Sequence, residues 1–344
     1  GTLKRHVSME DASGNVPAEI KRPSLKSVKG ALVTACFLRE CVESAIDYAH
    51  KEGDLFISTY IKCGTTWMQH IVYLILNDGA PPASAADLYK TSPYFEVCGA
   101  ECIQWMRRPG AIKTHLPLRL IKYSRKARYI VMIRNPFDAV VSIHHFWRMV
   151  SAYNYDGSFN DTFENFMAGY VDSGDYFAFY REWYERMTDP NVLFLVYEDI
   201  RKNPETAILK VARFLGADYE ERLLAFGGKV LKDVLKYSSF EEMKKYTNQM
   251  TYDFYGDEFP FDGEDYKGLR HLHGVVRSAS DDAGQSGGSE TADKIDFVRK
   301  GVVGDWKNYF SPEQTNRLKE RFLREIGGSG IIKLWSDLDL HDWK

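Results

Sequence analysis

Short apolar runs alternate along this chain with stretches of helical period. Residues 55–60 (Leu-Phe-Ile-Ser-Thr-Tyr), Arg128–Ile133 and 191–196 (Asn-Val-Leu-Phe-Leu-Val) are rich in β-branched and aromatic side chains and short, which predicts buried strands. A shorter strand is expected within 107–117, through Ala111-Ile112-Lys113-Thr114-His115. Val42, Ala45, Ile46 and Ala49 recur at helical spacing and predict a helix over 38–51. Trp67 to Leu76 reads as a second helix, stopped by Asn77-Asp78-Gly79-Ala80-Pro81-Pro82. Further helices are expected at 159–170, 176–187, Pro204–Leu215, 219–224 and Pro312–Ile326. The alternation predicts a single α/β domain, with a central parallel sheet flanked by helices.

Two stretches fall outside this pattern. Residues 1–25 are polar and irregular and are expected to form a flexible N-terminal segment ahead of a domain spanning 26–344. Between 253 and 293 Gly, Asp and Ser accumulate, so a long insertion at about 262–293 is expected as a mobile loop.

A chain of 344 residues can bury a sizeable core without staples. Its net charge of −3, from 45 basic and 48 acidic residues, argues against a nucleic-acid partner. Five cysteines (Cys36, Cys41, Cys63, Cys98, Cys102) with no CxxC pair indicate neither a zinc site nor a disulfide framework. No apolar stretch approaches a bilayer span, so a cytoplasmic location without membrane attachment is the expectation.

The chemistry is concentrated where strands end. After residues 55–60 comes Ile61-Lys62-Cys63-Gly64-Thr65-Thr66-Trp67, a loop into a helix. There Gly64 allows close backbone approach, Thr65 and Thr66 add hydroxyls, and Lys62 adds charge to a helix N-terminus, parts that suit an oxyanion. The common GxxxxGK[ST] phosphate loop is absent, since here the lysine precedes the glycine. Lys113 and His115, two apart on a strand, share a face. A second strand–turn–helix site follows at Arg134-Asn135-Pro136, with Ser142 about two turns into the helix, fit for a phosphate held by a guanidinium and a hydroxyl. An ion pair between Arg134 and Asp138 is the plainer reading of that segment. Capping alone explains the serines of Ser238-Ser239-Phe240-Glu241-Glu242.

Lys62-Cys63-Gly64-Thr65-Thr66-Trp67 resembles the 5′-phosphosulfate loop of the cytosolic sulfotransferases, which use 3′-phosphoadenosine 5′-phosphosulfate (PAPS). Lys113-Thr114-His115-Leu116-Pro117, Arg134-Asn135-Pro136 with Ser142, Tyr197-Glu198-Asp199 and Arg299-Lys300-Gly301 followed by Gly304-Asp305-Trp306-Lys307-Asn308 resemble that family's other signatures, in its order. The resemblance implies transfer of a sulfuryl group from PAPS to a hydroxyl or amine of a small, mainly apolar acceptor such as a phenol, catecholamine or steroid. It implies PAP as product and no metal. It makes His115 the general base, with Lys62 and Lys113 on the transferring group. The donor would lie among Lys62, Cys63, Gly64, Thr65, Thr66, Trp67, Arg134, Ser142, Tyr197, Ser238, Ser239, Phe240, Phe297, Arg299, Lys300 and Gly301. The acceptor pocket is expected to draw aromatics from 89–105 and 146–155 together with the insertion, which would act as a lid.

Three departures stand out. Cys63 replaces a serine, and beside Lys62 its thiol pKa is expected to fall, making either a redox-sensitive site or merely a tolerated small residue. Ile61 replaces a proline. The family's C-terminal dimer motif is degraded to Lys307-x-x-x-Ser311-Pro312-x-x-x-Asn316, which weakens the case for a homodimer by that route. A nucleotide kinase would need the missing phosphate loop, and a glycan sulfotransferase a basic cleft and an anchor. A PAPS-binding protein without turnover is the non-enzymatic alternative.

Overall fold

The computed structural model describes residues 19–255, 259, 261, 265–285 and 301–335. Four parallel strands form the central sheet: β3 (Leu55–Thr59), β4 (Ile112–Thr114), β5 (Arg128–Ile133) and β6 (Val192–Val196), in the order β4-β3-β5-β6. The register sets Ile57 beside Lys113 and Ile130, and Val131 beside Phe194.

Side chains alternate between two cores, as the pleat requires. Phe56, Tyr129, Val131 and Ile133 face Trp147, Tyr180, Trp183 and Phe322. Leu55, Ile57, Ile130 and Met132 face Met68, Ile71, Val72 and Ile75 of the helix Thr65–Leu76, with Ile208 and Val211 of Pro204–Leu215 behind. With both faces covered, the sheet's ends are the places left for a ligand. Among the described residues no helix is long and apolar enough to cross a membrane.

The pattern missed an antiparallel hairpin, β1 (Leu25–Val28) and β2 (Ala31–Thr34), because its strands have four residues each and no clean alternation. Its only strong sign is the turn Lys29-Gly30, in which both residues take positive φ (47° and 85°). Residues 1–18 of the expected flexible segment lie outside the described residues. From Lys21 onward that segment is tied down: the Lys21 carbonyl accepts from Asn165 at 2.8 Å and Ser24 N–H donates to the Tyr153 carbonyl at 2.8 Å. The first helix is Arg39–Asp47, shorter than 38–51 because Tyr48 turns extended.

The expected mobile loop is corrected in part, since residues 262–264 and 286–293 lie outside the described residues. Lys267–Gln285 is a helix. Leu269, His273 and Val276 are buried on one of its faces, with Leu272 half-buried beside them, and the helix lies against Phe95–Cys98 and Ser151–Tyr153. The i, i+3, i+4, i+7 spacing of those four was legible but diluted by the Gly, Ser and Asp that follow.

The C-terminal segment is fastened to the helix Pro136–Met149 by Asp138, which accepts from the amides of Gly304 (2.8 Å) and Trp306 (3.1 Å) and from Asn135 Nδ2 (2.9 Å). Asp138 is therefore engaged with backbone rather than paired with Arg134. In the degraded dimer motif, Ser311 caps Pro312–Ile326 within the chain. Asp138→Ala leaves three donors without their acceptor, and a loss on the order of 3 kcal/mol is expected in urea unfolding, whereas Asp138→Asn should recover part of it.

Candidate active site

The described residues Lys62, Lys113, Arg134 and Tyr197 gather at the carboxyl end of the sheet. The chain leaves β3 at Thr59, and Lys62 (φ 61°) and Gly64 (φ 99°) turn it into the helix Thr65–Leu76. A Cβ on Gly64 would lie 2.6 Å from Met132 Cε and 2.9 Å from Tyr197 Cδ2, so both the turn and the packing demand glycine. The helix has no side-chain cap. Its first bond runs from Met68 N–H to the Gly64 carbonyl at 3.0 Å, leaving the amides of the first turn for an anion. The Thr65 hydroxyl is buried against that of Thr59, and Thr66 is half-buried.

Three cations converge on this loop. Lys62 Nζ sits over the Phe146 ring at 4.4 Å and Lys113 Nζ over Tyr94 at 4.1 Å. Arg134 donates to the Lys62 carbonyl at 3.0 Å and lies 4.6 Å over the Tyr197 ring, while its Nε is buried with no hydrogen-bond partner. Burial, then repulsion from Arg134 and Lys113, pulls the Lys62 pKa down to about 7, and burial pulls Lys113 down to about 8. The buried carboxylates Glu96 and Asp172 offset part of that fall at Lys113.

His115 follows β4. Its Nδ1 lies 2.8 Å from the Thr59 carbonyl, an acceptor only, so Nδ1 carries the proton and Nε2 the lone pair. Its amide donates to Glu96 Oε1 at 2.6 Å, and its ring meets the Tyr94 ring edge-on at 5.4 Å. Burial, and then Lys113, pull its pKa down to about 3, so the imidazole is neutral at physiological pH. His115 borders a small cavity with Ala31, Leu32, Val33, Phe37, Tyr94, Glu96, Leu116, Pro117, Asp172 and Ser173.

On the other side, Trp67 meets Tyr197 edge-on at 5.4 Å and donates its indole N–H to the Ser238 carbonyl at 2.9 Å. Gly301 (φ 60°) packs so tightly that a Cβ would run into the Phe240 ring. Arg201 spans both aromatics, 5.6 Å from Phe240 and 6.0 Å from Trp67. Ser239 caps the helix Phe240–Tyr255 through Glu242 N–H at 3.4 Å. Ser142 is half-buried on Pro136–Met149 and makes no hydrogen bond among the described residues. Phe297, Arg299 and Lys300 lie outside the described residues.

Aromatic walls at Trp67, Tyr197 and Phe240, an orphaned guanidinium N–H and an uncapped helix N-terminus fit an adenosine carrying two phosphate-like groups. The sequence alone did not single out Thr59, Glu96, Asp172, Arg201 or the β2 residues. Tyr94 and Phe146 belong to the aromatic segments expected at the pocket. Glu96 and Asp172 are surface-type residues by composition, and only the fold reveals them as buried.

One expectation is reversed. Cys63 is fully buried, and burial pushes its thiol up to about 12 despite Arg134 nearby, so it is no low-pKa redox thiol.

A family model for the sulfotransferase domain matches residues 52–270 and 278–330. Sulfotransferase 1A1 of Canis lupus familiaris is 31% identical over 323 residues, covering 91% of this chain and 96% of that protein. Sulfotransferase 1B1 of Mus musculus is 29% identical over 324 residues, covering 91% and 95%. Among solved structures, mouse sulfotransferase SULT7A1 complexed with PAP has a TM-score of 0.63 at 22% identity, covering 89% of this chain and 95% of that one. Retinol dehydratase in complex with androsterone and PAP also gives 0.63, at 23% identity, covering 87% and 88%. At these identities the two structures show a shared fold.

Two outcomes follow from the electrostatics. An anion bound between Lys62 and Lys113 raises both depressed pKa values. Binding of PAP should therefore take up protons above about pH 7, with affinity falling from pH 7 to 9, measurable by calorimetry in buffers of different ionisation enthalpy. Iodoacetamide at pH 8 should leave Cys63 unmodified in the native protein and alkylate it in urea.

Proposed function

Since the chain belongs to the cytosolic sulfotransferases, we propose that His115 Nε2 removes the acceptor's proton in an in-line sulfuryl transfer. The protein is a PAPS-dependent transferase that forms PAP. PAPS supplies the sulfuryl group and a bisphosphate leaving group. The acceptor is read as the hydroxyl or amine of a small molecule that enters the cavity beside His115.

The observation that carries this reading is the 2.8 Å contact between His115 Nδ1 and the Thr59 carbonyl. It orients the ring, and a neutral imidazole with a free Nε2 can accept a proton without first losing one. Lys62 holds the oxygen that gains charge as the phosphosulfate bond opens, and Lys113 holds the sulfuryl oxygens. The amides of Gly64 to Trp67 and the Thr65 and Thr66 hydroxyls bind the 5′-phosphate. Arg134, with its unpartnered Nε, Ser142 and Ser239 hold the 3′-phosphate, joined by Arg299, Lys300 and Gly301. Trp67, Tyr197 and Phe240 enclose the adenine, with Cys63, Ser238 and Phe297 completing the donor site. Residues 26–344 are read as the transferase domain, and the insertion at about 262–293 as a lid over nucleotide and acceptor. The helix Lys267–Gln285 against Phe95–Cys98 supports that role.

His115→Ala should lower sulfate transfer to a phenol by about 100-fold or more while the protein still binds PAP. Equal losses of transfer and PAP affinity would instead mark His115 as a binding residue. Arg134→Ala should weaken PAP by about tenfold or more and 5′-AMP far less, since only PAP carries the 3′-phosphate.

A further inference from the structure

β4 is the edge strand of the sheet, and the segment 91–96 covers its outer side. Ala111 N–H donates to the Thr91 carbonyl at 3.0 Å and Lys113 N–H to that of Pro93 at 2.9 Å, with Tyr94 bridged in parallel to Lys113. Pro93 suits this place, because it accepts one rung and has no N–H to leave unpaired on the other side. The third rung differs. Phe95 begins the helix Phe95–Cys98 and takes the chain off the edge, and the His115 amide is met at 2.6 Å by Glu96 Oε1. A side-chain oxygen thus stands in for the backbone carbonyl, and it does so at the residue read as the general base.

Glu96 is 2% exposed, a costly place for a carboxyl. Burial pushes it up to about 7, against the pull of the His115 amide, its own amide, the Thr114 hydroxyl and Lys113. Charged or protonated, it keeps an oxygen that can accept from the His115 amide. His115 is then held at two points, its backbone by Glu96 and its ring by the Thr59 carbonyl at 2.8 Å. Tyr94 adds a contact from the same covering segment, edge-on to the imidazole at 5.4 Å.

We propose that Glu96 is a positioning residue for the transfer, acting through the His115 amide to keep Nε2 aimed at the acceptor. The proposal rests on the sulfotransferase reading and deepens it. Without this rung the buried amide loses its acceptor, the end of β4 relaxes, and Nδ1 is no longer held against the Thr59 carbonyl. A misplacement of about 1 Å at a catalytic group can cost roughly 100-fold in rate.

The test pairs Glu96→Met with Glu96→Gln in the full chain, two side chains of similar length of which only Gln offers a strong acceptor. Glu96→Met should lower kcat for sulfation of 4-nitrophenol by about 30-fold. It should not weaken PAP, because losing a carboxylate removes a charge that repels the nucleotide. Glu96→Gln should recover most of the lost rate. The Nδ1–H resonance of the His115 imidazole in the PAP complex reads the Thr59 contact without turnover: it should move upfield in Glu96→Met and stay in place in Glu96→Gln. If it behaves so while even the wild-type protein sulfates no phenol, the positioning stands and the transfer reading fails. A folded Glu96→Met protein with unchanged kcat, or a Glu96→Gln protein as slow as Glu96→Met, overturns the proposal. Hydrogen exchange needs no variant: the His115 amide should be as protected as those of Ala111 and Lys113, and an unprotected amide overturns the proposal as well.

Discussion

The site depends on one residue at the end of β3. Thr59 is the last residue of the strand, and from there the backbone must turn at once into the loop that carries Lys62 and Gly64. Its hydroxyl holds that of Thr65 at the start of the following helix, and its carbonyl holds His115 Nδ1. Parallel pairing sets Ser58 beside Thr114, so the residue after β4 arrives next to Thr59. The register of two strands thus places His115 beside the 62–67 loop. Shifting it by one residue would send His115 to the opposite face of the sheet.

Burial gives the site its electrical character. Lys62, Lys113 and Arg134 are held close together by aromatic rings and backbone carbonyls. Their mutual repulsion and desolvation are sustained by the two cores on either side of the sheet. The same desolvation keeps His115 neutral and pushes Cys63 up, so a thiol beside a lysine behaves opposite to its exposed counterpart. A bound dianion would relieve the repulsion among the cations.

Much of this was legible in the sequence, for physical reasons. Strands apolar on both faces and helices with long stripes give strong periodic signals, and Arg128–Ile133, Pro204–Leu215 and Pro312–Ile326 appear with the expected bounds. Lys62 and His115 follow strand ends and Lys113 lies within β4 just before one, near where such folds put ligands. The β1–β2 hairpin was missed because four-residue strands carry too few alternations, and the helix Lys267–Gln285 because its composition hid its period. At Cys63 the neighbouring charge predicts a lowered thiol pKa, and burial overrides it. Glu96 and Asp172 could not be found at all, since only tertiary packing buries a carboxylate.

The measurement that tests the central claim most directly is the 15N NMR spectrum of the His115 imidazole between pH 5 and 9. A neutral ring protonated on Nδ1 and bare on Nε2 throughout, in accord with a pKa pulled down to about 3, is the predicted result. A ring protonated on Nε2, or one that gains its second proton near pH 7, would contradict the account, because His115 would then lack the lone pair on which the proton transfer depends.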